Sequence, residues 1–99
     1  MIVARWVVIF EDTEGMLGVR QQREPAHLAF LEAHKDRILI AGGLRPAPGE
    51  KFVGGLWVLE VAGRDEAVAL IETDPYYQPE HRKYRVLAWG KALGGPVTL

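Results

Sequence analysis

The 99-residue chain has no cysteine, no serine and no asparagine. Without thiols it can form no disulfide, iron–sulfur cluster or thiolate zinc site. Thr13, Thr73 and Thr98 are the only aliphatic hydroxyls, so a serine or cysteine nucleophile is excluded. Any catalysis falls to histidine, carboxylates, tyrosine, arginine or lysine. An excess of one charge is also missing: 12 basic and 13 acidic side chains leave a net charge of −1. That offers no basic field to nucleic acid. No apolar run approaches the roughly 18 residues of a membrane span. The opening apolar stretch is short and broken by Arg5, so neither a signal peptide nor a membrane segment is expected, and a cytoplasmic location is the default. No dinucleotide glycine motif follows a strand and no phosphate loop occurs, so no cofactor is expected.

What is present suits one globular domain over residues 1–99, with 48% hydrophobic and 25% charged side chains. Ile2 to Phe10 is rich in β-branched and aromatic residues and predicts a first strand. Glu11 to Val19 reads as a polar loop. Pro25 suits the first position of a helix, which predicts a helix from about Glu24 to Lys35. Arg37 to Ala41 predicts a second strand stopped by Gly42 and Gly43, and Leu44 to Lys51 a turn-rich connection. Leu56 to Val61 gives a third strand. A second helix follows Gly63, with Asp65 and Glu66 in its first turn, where negative charge is favoured. It must stop near Asp74, because a residue before proline avoids helical backbone. Tyr76 to Lys83 reads as a loop, Tyr84 to Trp89 as a fourth strand, and Gly94 onward as a loose tail.

The order β-α-β-β-α-β is the ferredoxin-like α+β pattern, a four-stranded antiparallel sheet with two helices on one face. Strands one, three and four are apolar on both faces, and two helices cover only one. The other face needs a cover, most simply a second copy, so a homodimer is expected. Trp6, Trp57 and Trp89 all fall in strands, as core or interface anchors.

Two positions draw attention as chemistry. A helix beginning at Pro25 puts His27 in its first turn, where the helix dipole disfavours protonation and keeps the imidazole available as a base. Asp74 sits at the opposite, unfavourable end of the second helix, which a cationic or hydrogen-bonding partner offsets. In this fold the start of one helix can lie beside the end of the other. An Asp74 carboxylate on one ring nitrogen of His27 would then leave the second nitrogen basic. The residues alone also admit a surface or interface histidine, the commoner case for an isolated one, and a solvated carboxylate. Tyr76 and Tyr77 read as pocket walls for a flat substrate or as packing. Gly42 and Gly43 read as a close backbone approach to ligand or as a strand end. Arg20 and Arg23 read as partners for a substrate carboxylate or as solvated charges. No metal is expected: His27 and His34 are about 10 Å apart along a helix, against zinc–nitrogen bonds of about 2 Å. His81 has no supporting carboxylate pattern.

Pro25-Ala26-His27-Leu28, the strand end Ala41-Gly42-Gly43 and the helix end Asp74-Pro75-Tyr76 resemble the YCII-related (YciI-like) family, and the likeness spans most of the chain. The resemblance implies a dimeric α+β barrel of ferredoxin-like protomers and a His–Asp pair as active site, here His27 and Asp74. Arg20 fits a basic position of the family. Three residues before the histidine, where the family often has arginine, stands Glu24, with Arg23 one place earlier. Among the few assigned members is a dehydrochlorinase acting on a chlorinated hydroxyquinol.

The expected function is therefore small-molecule chemistry by a His–Asp acid/base pair, of lyase, isomerase or hydrolase type, with Arg20, Arg23, Gly42, Tyr76 and Tyr77 as substrate contacts. The competing expectations are a non-catalytic dimeric ligand-binding or accessory module, and a cofactor-independent monooxygenase-like barrel.

Overall fold

The computed structural model describes residues 3–96. Ile2, at the expected start of the first strand, and residues 97–99, at the end of the expected tail, lie outside the described residues. The elements are β1 (Ala4–Asp12), α1 (Met16–Ala33), β2 (Ile38–Leu44), β3 (Gly54–Val61), α2 (Arg64–Thr73) and β4 (Arg82–Ala88). They build one antiparallel sheet in the order β2-β3-β1-β4, which with two helices is the ferredoxin-like arrangement.

Alternation along the strands decides what each face carries. Trp6, Val8 and Phe10 of β1 lie beside Trp57, Leu59 and Val61 of β3 and Val86 of β4, and Phe30 of α1 with Ala67, Leu70 and Ile71 of α2 close over them. The opposite face carries Val7, Ile9, Leu56 and Val58, with Ile40, Leu44 and Leu87 exposed around them. Two of its charges meet: Arg5 and Glu60 stand opposite in register and pair at 2.5 Å.

The first helix differs from expectation. It begins at Met16, eight residues before Glu24, and Pro25 lies inside it. Read as a helix opener, Pro25 pointed to the wrong place. What starts α1 is tertiary anchoring: the Met16 side chain is fully buried, and its N–H donates to the Thr13 carbonyl at 3.1 Å. Pro25 is exposed, where the carbonyl it leaves without a helical donor can face water. The second helix ends as expected, with Asp74 in extended backbone before Pro75.

The second strand also differs. Gly42 and Gly43 do not stop it but pair with Leu56 and Gly55 of β3. A bulge at Leu39 inserts one residue between Ile38, opposite Leu59, and Ile40, opposite Val58. The extra residue flips the alternation, so Ala41 and Gly43 share the helix-covered face with Ile38. The fourth strand starts at Arg82 rather than Tyr84 and ends before Trp89, whose indole is exposed. Trp57 is a core residue, and Trp6 packs at the core's edge beneath the Arg64 guanidinium.

Candidate active site

Helix α1 lays a stripe of Arg20, Glu24, His27, Leu28 and Leu31 along the sheet, the spacing of one helical face. His27 sits about three turns inside the helix, where a dipole effect confined to the first turn does not reach it. It is held by a partner instead. The Asp74 carboxylate, almost fully buried at the end of α2, lies 2.7 Å from His27 Nδ1. Because a carboxylate only accepts, Nδ1 carries the proton in this contact, and Nε2 of the neutral ring keeps its lone pair. The same Asp74 oxygen accepts the Tyr76 backbone N–H at 3.0 Å, a local turn that brings the tyrosine back beneath the imidazole. The two rings stack 3.7 Å apart at 6°. Burial pushes the Tyr76 phenol up, opposed by the Arg20 guanidinium, and its hydroxyl is directed at the Arg20 carbonyl oxygen 3.5 Å away.

Behind this pair lies a buried ion cluster. Arg82 grips Asp12 with Nε at 2.7 Å and Nη2 at 2.9 Å, a fork geometry set up by the cross-strand register of the two residues. Arg20 reaches the same carboxylate at 3.4 Å and donates to the Gly54 carbonyl at 2.7 Å. Gly54 has to be bare, because a β-carbon there would run into the Phe10 carbonyl oxygen.

Between α1 and the sheet these groups enclose a cavity of about 200 Å³. Its floor is backbone at Gly55, and the Phe52 ring lies over Gly43, which pairs with Gly55 across β2 and β3. Phe10, Phe52, Trp57, Leu28 and Leu31 form apolar walls, and Arg20, Glu24, His27, Tyr76 and Arg82 supply polar groups. An apolar cavity of roughly 150 Å³ takes benzene, so this volume suits one substituted six-membered ring. The arrangement can move a proton at His27 Nε2 beside fixed guanidinium donors.

The structure thus brings His27, Asp74, Arg20, Gly42 and Tyr76 to one place. Arg23 falls off the helix stripe and is exposed, and Tyr77 packs against the hydrophobic core rather than lining the cavity. Neither lines this cavity. Arg82, Asp12, Phe52 and Gly55 were not among the expected site residues. Arg82 lay in what read as a loop, and only the extension of β1 to Asp12 opposite it would have signalled the pair. Among the described residues no helix is long and apolar enough to cross a membrane.

A solved structure with this architecture is the 5-chloro-2-hydroxyhydroquinone dehydrochlorinase (TftG) from Burkholderia phenoliruptrix AC1100, in complex with 2,5-dihydroxybenzoquinone. It superimposes with a TM-score of 0.75 at 26% identity, covering 87% of this chain and 93% of that one. No curated protein sequence matches. The YCII-related domain matches residues 4–90, a span that holds every strand, both helices and all the cavity residues. The chain belongs to the YCII-related family.

Proposed function

We propose that this protein is an enzyme of general acid–base chemistry on a small ring compound, with His27 as the proton-transfer group and Asp74 as its orienting carboxylate. The 2.7 Å contact from Asp74 to Nδ1 carries the reading. It fixes the tautomer, and stacking on Tyr76 fixes the ring plane, so Nε2 is the atom free to take or return a proton. In an elimination, Nε2 would accept the proton from the substrate while the electron pair left behind expels the leaving group from the neighbouring carbon. Isomerisation would use the same group to return that proton elsewhere. The neighbouring dehydrochlorinase, which acts on a chlorinated hydroxylated ring, supports an elimination on a single ring.

The test is turnover of a panel of hydroxylated and halogenated single-ring compounds, 5-chloro-2-hydroxyhydroquinone among them, followed by halide release and quinone absorbance. Removing an acid–base group typically costs about 10²–10⁴-fold in rate. His27→Ala and Asp74→Asn are expected to lose that much with the melting temperature kept. Full activity in His27→Ala ends the reading.

The same reading takes the outer face of the sheet as the contact between two copies. Ile40, Leu44, Val53 and Leu87 stand exposed there, and a contiguous apolar patch marks an interface. Sedimentation equilibrium is expected to give a dimer for the native chain and a monomer for Ile40→Lys. A native monomer at micromolar concentration removes this part.

A further inference from the structure

The acid–base reading leaves one charge without a role. Asp12 is taken by Arg82 at 2.7 and 2.9 Å and meets Arg20 only at 3.4 Å. Two guanidiniums therefore share one carboxylate, and all three side chains are largely or fully buried. Arg20 has unused donors. Among the described residues its Nε is buried without an acceptor, and Nη1 lies beside the Phe52 ring, which covers Gly43. Gly43 has no side chain, which leaves room for Phe52, and Arg20 lines the cavity next to that ring. The Phe52 and Tyr76 rings lie 4.6 and 5.5 Å from the guanidinium carbon and hold the group in place.

A buried guanidinium without its own carboxylate is costly unless an anion joins it. The other acids around the cavity do not fill that role. Asp74 is occupied by His27 and the Tyr76 N–H, and Glu24 is exposed at the rim, where water screens it. The cavity is thus positive at its Arg20 end and negative at its mouth. A neutral ring would leave Arg20 unsatisfied, and a cation would be repelled from that end.

We infer that the pocket selects a small planar monoanion whose charged oxygen sits on Arg20 Nη1, with the ring lying between α1 and Gly55, beside Phe52. Arg20 is then the residue that sets substrate charge, and Glu24 tempers it. The inference rests on this cavity being the substrate site, but it does not need His27 to act as a base. A carboxylate and a phenolate present the same oxyanion, and the experiment separates them.

Calorimetric titration with benzoate and its neutral counterpart benzamide tests it, together with 4-nitrophenol, whose ionised form is coloured. Benzoate is expected to bind about ten- to a hundredfold more tightly than benzamide, the scale of a hydrogen bond to a charged group. Arg20→Gln abolishes that preference and Arg20→Lys keeps part of it. Glu24→Gln, an exposed change away from the Asp12 cluster, strengthens benzoate binding several-fold and keeps the test alive if Arg20→Gln fails to fold. A bound 4-nitrophenol that ionises at lower pH than the free compound assigns the site to phenolates. A benzoate preference without that colour shift assigns it to carboxylates. Equal affinity for benzoate and benzamide with no colour shift, a preference that survives Arg20→Gln, or no binding of any probe at millimolar concentration overturns the proposal. His27→Ala separates the two readings, since it is expected to bind benzoate normally while losing turnover.

Discussion

Helices α1 and α2 cover the same face of the sheet in opposite ways. In α2, Ala67, Leu70 and Ile71 are all buried within ten residues, so the helix closes tightly over β3 and β4. In α1 only Met16 and Phe30 are buried within eighteen, near the two ends. Between those anchors α1 turns Arg20, Glu24 and His27 toward a sheet whose facing positions are Gly43 and Gly55. The cavity exists because polar side chains of the helix face small residues of the sheet, with Phe52 folded over Gly43 as one wall. One helix supplies a core, and the other is pinned at its ends so that its middle lines the cavity.

The comparison can be broken by truncating each helix. Leu70→Ala removes a fully packed side chain and is expected to lower unfolding free energy by about 2–5 kcal/mol. Leu28→Ala, on the cavity stripe and 55% exposed, is expected to cost about 0.5 kcal/mol or less. Urea unfolding of both variants reads the difference. Similar losses would mean that α1 packs as α2 does.

A smaller effect sharpens the same contrast through pH. Burial pushes the Tyr76 phenol up, with Arg20 pulling the other way, and burial pushes up Tyr84 as well. A phenol raised in the folded state keeps its proton after the unfolded chain has released it. Stability from this source is whole below the unfolded value of about pH 10. It falls as pH rises from there through the folded values. Tyr76→Phe is expected to flatten part of that alkaline decline in melting temperature, leaving the share of Tyr84. An unchanged slope would mean that Tyr76 is not held in a dry contact under α1.

The strands and the second helix were legible because their signals are local. The β-branched runs, the acidic first turn at Asp65 and Glu66, and the stop enforced by Pro75 each act within a few residues. Pro25 misled for the converse reason. Its preference for a helix start is local, whereas the observed start depends on burying Met16 under distant parts of the chain. The bulge at Leu39 was equally hidden, since register appears only when β2 meets β3. His27 and Asp74 could be picked out as a candidate pair. The Asp12–Arg82 clamp could not, because it needs β1 and β4 extended until those two residues face each other.

By itself the sequence determined which chemistry is open to this protein: no thiol, no serine, and a histidine, acids and arginines to work with. It also determined the order of elements, because hydrophobic periodicity and proline geometry are properties of neighbouring residues. Tertiary structure alone decided that Arg20, His27, Asp74 and Arg82 share one hollow. Contacts between residues 47 and 70 positions apart arise from register and from helix placement on the sheet. No short stretch of chain encodes those.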